Sequence, residues 1–119
     1  MWFLIECLLF ASVAYASLVP KLDKFYPRDQ NVGSTFKIFC SPQEGSKPFQ
    51  FEWRKNGQLL SSSGVTYKIE HSIDDSLFVI NQLQTLDSGN YSCTVRNQYG
   101  SDTQTTVLTV KGLVYSNLI

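Results

Sequence analysis

Histidine is almost absent from this sequence, and its scarcity limits the chemistry that the chain can perform. The one histidine, His71, stands in a polar, turn-like stretch beside Asp74 and Asp75. Catalysis by a nucleophile needs a base within reach, and this single histidine is predicted to be a solvated loop residue. Two adjacent carboxylates also fall short of the about six oxygens that a hard cation requires. We therefore expect no enzymatic activity, no metal site and no cofactor.

Net charge is lacking as well. The chain has ten basic and ten acidic residues, so its formal charge is zero. Proteins that bind nucleic acid carry a basic patch or stripe, and a strongly basic balance also favours anionic membrane surfaces. We expect neither nucleic acid nor an anionic lipid surface as a partner.

No apolar run is long enough to cross a membrane, but a shorter one opens the chain. Residues 2–14 are mostly apolar, and the Ala-Tyr-Ala triplet that ends at residue 16 suits cleavage by signal peptidase before Ser17. We interpret residues 1–16 as a signal peptide, although Glu6 and the lack of a basic residue near the start depart from the usual pattern. The alternative is that this run forms a buried strand or helix of the fold.

Cysteine is scarce too, and removal of the first segment makes its number even. Cys7 leaves with the predicted signal peptide, so Cys40 and Cys93 remain with one possible pairing. Secretion would place both in a compartment where disulfides form. We therefore predict a protein that is secreted or extracellular, or the N-terminal fragment of a cell-surface protein, with no membrane insertion within this chain.

Helical periodicity does not persist along the remaining chain, where apolar and polar residues alternate in short runs instead. Successive side chains of a strand point to opposite faces, so each run predicts a strand with one buried face. Clusters of glycine, proline, asparagine, aspartate and serine separate the runs. The clearest apolar sets are Phe36, Ile38, Cys40; Phe49, Phe51, Trp53; and Tyr91, Cys93, Val95.

The turn residues and prolines refine this strand pattern. Asn56-Gly57 and the segment 97–100 are predicted to supply the positive φ of two hairpin turns. Pro20 and Pro27 place the first strand at a sheet edge and predict a break at Pro27. Seven or eight strands without a helix indicate an all-β, two-sheet sandwich over residues 17–110, followed by a tail or linker at 111–119.

Cysteine, tryptophan and tyrosine stand in an order that is typical of one family. Cys40, Trp53 and Cys93 follow the Cys…Trp…Cys spacing of immunoglobulin domains, and the segment 87–93 reads Asp-x-Gly-x-Tyr-x-Cys. The chain resembles the immunoglobulin superfamily from residue 20 to residue 110. The segments Trp-Arg-Lys-Asn-Gly (53–57) and Asp-Ser-Gly-Asn-Tyr-Ser-Cys (87–93) are similar to the intermediate type, and to modules of the Down syndrome cell adhesion molecule family.

The resemblance implies a Greek-key sandwich and assigns structural roles to its signature residues. It implies a disulfide between the two sheets, a tryptophan packed against that disulfide, and a tyrosine hydroxyl bonded to the backbone upstream. One departure concerns the Asp87 carboxylate, which the family often pairs with an arginine in the fourth strand. This chain offers only Lys68 there, so that salt bridge is in doubt. The signature residues are Cys40, Trp53, Asp87, Gly89, Tyr91 and Cys93.

The outward positions of the third and sixth strands are the candidate binding surface. If Trp53 packs on the disulfide, Glu52 lies near Thr94 and Gln50 lies near Arg96, with Tyr99 as an exposed aromatic at the adjoining hairpin tip. Arginine and tyrosine are over-represented at binding hot spots. The structural alternative is a diagonal pair between Glu52 and Arg96 that contributes a few tenths of a kcal/mol, with Tyr99 merely covering the hairpin.

Three functions are compatible with these residues. The first is an extracellular adhesion or recognition module that binds another protein, either a second copy or another immunoglobulin-like domain. The second is a stand-alone secreted immune or decoy factor, and the third is a structural muscle-type module, against which residues 1–16 argue. Asn90-Tyr91-Ser92 is in addition an N-glycosylation sequon, with Asn90 predicted to point outward.

Overall fold

The computed structural model describes residues 18–62 and 64–112, so the predicted signal peptide and most of the predicted tail lie outside the described residues. Within them the chain forms ten strands and one turn of 3-10 helix (Thr85–Asp87). The count exceeds the predicted seven or eight because several strands have only two or three residues. The strands are β1 (Lys21–Leu22), β2 (Arg28–Asn31), β3 (Phe36–Cys40), β4 (Pro42–Glu44), β5 (Gln50–Lys55), β6 (Gln58–Leu59), β7 (Lys68–His71), β8 (Ser76–Ile80), β9 (Gly89–Asn97) and β10 (Gly100–Lys111).

Two main sheets pack face to face, which confirms the predicted all-β sandwich. One sheet has the order β2-β10-β9-β5-β6 and the other the order β3-β8-β7, while β1 and β4 form a separate two-stranded ladder. The chain crosses between the sheets after β6 and again after β8, as in a Greek key. The pairing of β2 with β10 is parallel, and the other pairs are antiparallel.

The first strand is interrupted where Pro27 predicts a break. β1 ends at Leu22 and pairs with β4, whereas β2 begins at Arg28 and pairs with β10 in the other sheet. The intervening segment crosses from one sheet edge to the other, and the side chain of Gln104 accepts a hydrogen bond from Phe25 N–H. A proline lacks an N–H, so a crossing point between two edges suits it better than a paired strand.

The core lies between the two sheets and is built from the alternating positions that the sequence predicts. β3 buries Phe36, Ile38 and Cys40, and leaves Lys37 and Phe39 exposed. The aromatic rings cluster in the centre, where those of Trp53 and Phe78 lie 5.4 Å apart. The buried set comprises Leu22, Phe36, Ile38, Cys40, Trp53, Ile69, Phe78, Ile80, Leu83, Tyr91, Cys93, Val95, Leu108 and Val110.

The two predicted hairpin turns differ in how they are made. Asn56 and Gly57 have φ angles of 50° and 82°, which confirms a tight turn built on positive φ. The β9–β10 turn does not use positive φ at Gly100, so that prediction is wrong. Instead the Asn97 side chain accepts hydrogen bonds from the N–H groups of Tyr99 and Gly100. Asparagine side chains bond to the backbone of following residues readily, which replaces the need for a left-handed residue here.

Candidate binding surface

The disulfide and the signature tryptophan determine which residues of β5 lie on the surface. Cys40 and Cys93 are bonded, and Trp53 stands opposite Cys93 in the register of β5 and β9. The indole Nε1 of Trp53 donates to the Oγ of Ser76, 2.8 Å away and fully buried. A buried indole N–H needs such a partner. The register that this packing imposes determines which residues of β5 face outward.

His71 has a role that the sequence does not reveal. The sequence predicts a solvated loop residue, but His71 is the last residue of β7. Its Nδ1 lies 2.9 Å from the Oγ of buried Ser76. Its ring also stacks on that of Phe51 at 6.2 Å. The imidazole therefore extends the hydrogen-bond chain that starts at Trp53 to the protein surface.

The Tyr91 corner forms as the resemblance implies. The Tyr91 hydroxyl donates to the carbonyl oxygen of Asp87 at 2.6 Å, and the Asp87 carboxylate accepts the N–H of Gln84 at 2.8 Å. Burial of the ring, reinforced by the negative charge of Asp87, raises the pKa of the Tyr91 hydroxyl. No buried side-chain nitrogen or oxygen of this corner lacks a hydrogen-bond partner.

The cation at this corner comes from a residue that sequence reasoning missed. Among the described residues Lys68 makes no ion pair with Asp87. Lys55 instead donates its Nζ to the carbonyl oxygen of Leu86 at 2.9 Å and lies 5.7 Å from the centre of the Tyr91 ring. Lys55 stands opposite Tyr91 in the β5–β9 register, so only the pairing of the strands could have identified it.

The predicted surface residues of β5 and β9 are brought together. Gln50 lies opposite Arg96, and Glu52 lies opposite Thr94, as expected from the position of Trp53. The Glu52 carboxylate is 3.8 Å from the Arg96 guanidinium, so the predicted diagonal pair is present. We call Gln50, Glu52, Arg54 and Arg96 the β5–β9 face.

Arg54 is the member of this face that sequence reasoning missed. Its Nη2 lies 2.6 Å from Glu52 Oε1, and its Nε donates to the same oxygen at 3.2 Å. Residues two apart on a strand share a face, and this spacing could have revealed the contact. Glu52 is consequently held mainly by Arg54, and 53% of the Arg96 side chain stays exposed.

Tyr99 lies in the hairpin turn next to the β5–β9 face, but it is half-buried rather than the exposed aromatic that we expected. The hairpin is anchored by Asn97, whose Nδ2 donates to the carbonyl oxygens of Leu18 and Ser46 at 2.7 and 2.9 Å. Three segments of the chain meet at this one amide. The turn that carries Tyr99 is therefore tied firmly to the body of the domain.

A cleft of about 520 Å³ opens where the β5–β9 face meets this hairpin. It combines an apolar wall of Pro48 and Phe49 with the guanidinium of Arg96 and the amides of Gln50 and Gln98. Such a lining can accept an apolar side chain and a carboxylate at the same time. A second cleft, of about 410 Å³, shares Phe49 and Gln50 and extends toward His71.

Asn90 lies at the opposite end of β9 from Arg96. Its side chain is exposed, as predicted, and its backbone N–H donates to Asn56 Oδ1 at 2.9 Å. A Cβ at Gly89 would lie 2.9 Å from the same Asn56 oxygen, so glycine leaves room for this contact. Whether Asn90 carries a glycan stays a prediction, and a glycan there would leave the cleft at the far end open.

The described part of the chain holds neither a metal-binding cluster nor a membrane-spanning helix. Among residues 18–62 and 64–112, no group of three or more histidine, cysteine, aspartate or glutamate side chains is arranged to hold a metal ion. In the same part of the chain, no helix has the length and hydropathy needed to span a bilayer.

Comparison with known proteins identifies the family. The sequence profile of the immunoglobulin I-set domain matches residues 23–110. The chain belongs to the immunoglobulin I-set family. This I-set domain is 30% identical over 84 residues to human junctional adhesion molecule A, covering 63% of this chain and 27% of that protein. It is 38% identical over 80 residues to contactin-5 of Danio rerio, covering 67% of this chain and 7% of that protein.

Solved structures confirm the fold of this I-set domain. The seventh immunoglobulin domain of Dscam1 matches with a TM-score of 0.72 and 24% identity, covering 80% of this chain and 99% of that one. The I67–I69 fragment of titin matches with a TM-score of 0.70 and 23% identity, covering 79% of this chain and 33% of the fragment. At this level of identity the likeness concerns the fold alone. The chain spans only a small part of the curated relatives, 27% of the first and 7% of the second.

Proposed function

We propose that this I-set domain is an extracellular binding module that acts in cell adhesion or cell-surface recognition through protein–protein contacts. The observation that carries the proposal is the exposed Arg96 guanidinium beside the cleft of Pro48 and Phe49. One relative, junctional adhesion molecule A, is an adhesion molecule by name. The binding site in this proposal is the β5–β9 face together with Tyr99 and the cleft.

The charges of the β5–β9 face favour an acidic partner. Two arginines flank a single carboxylate, and Arg54 already holds that carboxylate at 2.6 Å. Arg96 is 3.8 Å away and only weakly paired, so its guanidinium keeps donors for a carboxylate outside the domain. A two-fold contact that sets Glu52 of one copy against Arg96 of another would have to compete with Arg54. An acidic group of a different immunoglobulin-like domain fits this face better.

The disulfide supports an extracellular location. Disulfides persist in oxidising compartments and are rare in the cytosol. Closing a loop between residues 53 positions apart contributes about 4 kcal/mol in the chain-entropy model, a large share of a small domain's stability. A domain that depends on this bond needs a compartment in which it forms.

A test of the compartment uses the full chain expressed in animal cells. We expect the medium to contain a product that begins at Ser17 and has no titratable thiol, because both remaining cysteines are bridged. N-terminal sequencing and thiol titration measure these two properties. Retention of Met1, or two reactive thiols in the folded protein, would contradict the extracellular assignment.

A test of the surface compares two double variants of the secreted protein. Arg96→Glu with Tyr99→Ala changes the proposed site, and Lys111→Glu with Leu86→Ala is a control with the same charge change at exposed positions elsewhere. Beads coated with wild-type or control protein should bind cells that display the partner, and binding by the site variant should fall about tenfold or more. Equal binding by all three folded proteins would rule out this face.

A structural muscle-type module is the second candidate, because titin is among the relatives. A 54-residue stretch is 41% identical to titin of Drosophila melanogaster, covering 45% of this chain and 0% of titin to the nearest percent. This function needs neither secretion nor a disulfide. Alkylation of thiols in lysed cells that express the full chain separates the candidates, since an intracellular module would be recovered with Cys40 and Cys93 reduced. Sequencing the transcript beyond Ile119 would then show whether further domains follow.

A further inference from the structure

A further recess lies at the edge of the three-stranded sheet, and none of its lining residues belongs to the β5–β9 face. The chain leaves β1 at Leu22 and crosses to the other sheet before β2, so this segment lies beside the edge of β3 without pairing with it. The gap is a cleft of about 220 Å³, which we call the edge cleft. Its lining includes Lys24, Phe25, Tyr26, Arg28, Lys37 and Phe39.

The backbone of β3 is open along this cleft. Within the described residues β3 pairs only with β8. The carbonyl oxygen of Lys37 accepts Arg28 Nη1 at 3.2 Å, so it points away from β8. Peptide groups two residues apart on a strand point the same way, and the N–H and C=O of Phe39 therefore face the cleft. An uncovered strand edge of this kind is available for pairing with another chain.

The side chains around the edge cleft are apolar and basic. Tyr26 and Phe39 leave 67% and 58% of their surface exposed. Lys24, Arg28 and Lys37 add three positive charges, and no aspartate or glutamate lines the cleft. None of the ion pairs formed among residues 18–62 and 64–112 involves these three cations. The cleft thus suits an apolar side chain that is followed by carboxylates.

The chain itself carries a segment with that chemistry. The turn between β7 and β8 places Ile73 at its tip with 79% of its surface exposed, followed by Asp74 and Asp75. Ser72 closes the turn, because its N–H donates to the carbonyl oxygen of Asp75 at 2.8 Å and its Oγ donates to the Asp75 carboxylate at 2.6 Å. We call residues 72–75 the acidic knob. Its shape is set before any partner arrives.

Asp74 keeps its carboxylate accessible. It pairs with Lys47 at 2.6 Å, but both side chains are 58% exposed. An ion pair between two exposed side chains contributes little and is readily exchanged for another.

We propose that the acidic knob of one molecule docks in the edge cleft of a second molecule. Ile73 packs between Tyr26 and Phe39, the Asp74 carboxylate approaches Lys24 and Lys37, and the Phe39 N–H donates to a carbonyl of the incoming turn. The knob and the cleft are different surfaces of one chain, so the contact is heterologous and joins successive molecules into a ring or an open chain. A contact of this size is weak in solution, and repeated copies on a surface strengthen it by avidity. The contact does not depend on the β5–β9 face.

The test is a charge exchange measured by sedimentation of the secreted protein. Lys24→Glu with Lys37→Glu reverses the charge of the edge cleft and leaves the acidic knob unchanged. Asp74→Lys with Asp75→Asn reverses the charge of the acidic knob and leaves the edge cleft unchanged. Lys21→Glu with Lys111→Glu has the same charge change as the first variant and lies outside both surfaces. Circular dichroism and thiol titration confirm that each variant is folded.

We expect wild type and the Lys21, Lys111 control to self-associate at concentrations up to about 1 mM, and added salt to weaken this association. Each reversed variant alone should sediment as a monomer. An equimolar mixture of the two should associate again, because each cleft then meets a knob of opposite charge. A wild-type protein that stays monomeric over this range would overturn the proposal. So would reversed variants that self-associate like wild type, or a mixture that stays monomeric.

Discussion

At one end of β9 the Tyr91 hydroxyl is buried and donates to Asp87, whereas at the other end Arg96 leaves 53% of its side chain in solvent. The Tyr91 corner also holds the Lys55 ammonium over the tyrosine ring. At the exposed end the Arg96 guanidinium is 3.8 Å from the Glu52 carboxylate, which Arg54 already holds at 2.6 Å. Buried groups with complete partners stabilise a fold, and exposed groups with incomplete ones are free to bind. The same strand therefore combines a buried, hydrogen-bonded corner at one end with the exposed guanidinium of the proposed binding site at the other.

The largest loss of stability is expected for a substitution of Trp53, which lies on β5 opposite the middle of β9. Trp53→Ala removes the aromatic ring opposite Cys93 and leaves the buried Oγ of Ser76 without the indole N–H that bonds it. Loss of a large core aromatic costs about 3 to 5 kcal/mol, which approaches the whole stability of a small domain. Urea unfolding followed by circular dichroism should show an unfolded or barely folded protein. A thermal midpoint lowered by only a few degrees would mean that Trp53 is not central to the core.

A smaller loss is expected at the buried end of β9. Tyr91→Phe keeps the ring and removes the hydroxyl that bonds the Asp87 carbonyl at 2.6 Å. A buried acceptor left without its donor costs about 1 to 3 kcal/mol, measurable as a shift of the urea midpoint. Tyr26→Phe is the matched control, because Tyr26 is 67% exposed and should change stability by less than about 0.5 kcal/mol. Equal losses in the two variants would show that the corner hydrogen bond contributes nothing.

The dependence of stability on alkaline pH tests whether the Tyr91 hydroxyl causes that loss. Burial and the Asp87 charge raise the pKa of Tyr91 in the folded state, so the unfolded chain releases this proton first. Stability from Tyr91 is then fully present below the unfolded pKa of about 10 and falls above it, by up to about 1.4 kcal/mol for each pH unit. Wild type should lose stability above this pH more steeply than Tyr91→Phe. Parallel pH profiles would show that Tyr91 titrates alike in the folded and unfolded states.

The core and the surface were predictable to different degrees. Cys40, Trp53 and Tyr91 could be placed from spacing and period-two alternation, because strand geometry alone assigns their faces. Lys55 at the tyrosine corner could not be placed, because its contact depends on how β5 and β9 pair. The contact between Arg54 and Glu52 was missed, although a spacing of two residues puts both on one face of the strand. The prediction of positive φ in the β9–β10 turn was wrong because the Asn97 side chain accepts the N–H groups of Tyr99 and Gly100. The sequence alone does not show that this side chain bonds to the turn.

The smallest effects on stability are expected for substitutions of the two arginines of the β5–β9 face, and these effects should differ from each other. Arg54→Ala removes the 2.6 Å contact with Glu52 and should cost about 0.2 to 1 kcal/mol, whereas Arg96→Ala removes only the 3.8 Å contact and should cost less. Binding to a cell-surface partner should show the reverse order, because Arg54 is occupied within the domain and Arg96 is not. The measurements are urea unfolding and bead binding for each single variant and for each variant combined with Glu52→Gln, which isolates the pairwise contribution. If Arg54→Ala weakens binding more than Arg96→Ala at equal stability, the partner contacts the centre of the face rather than the cleft at its end.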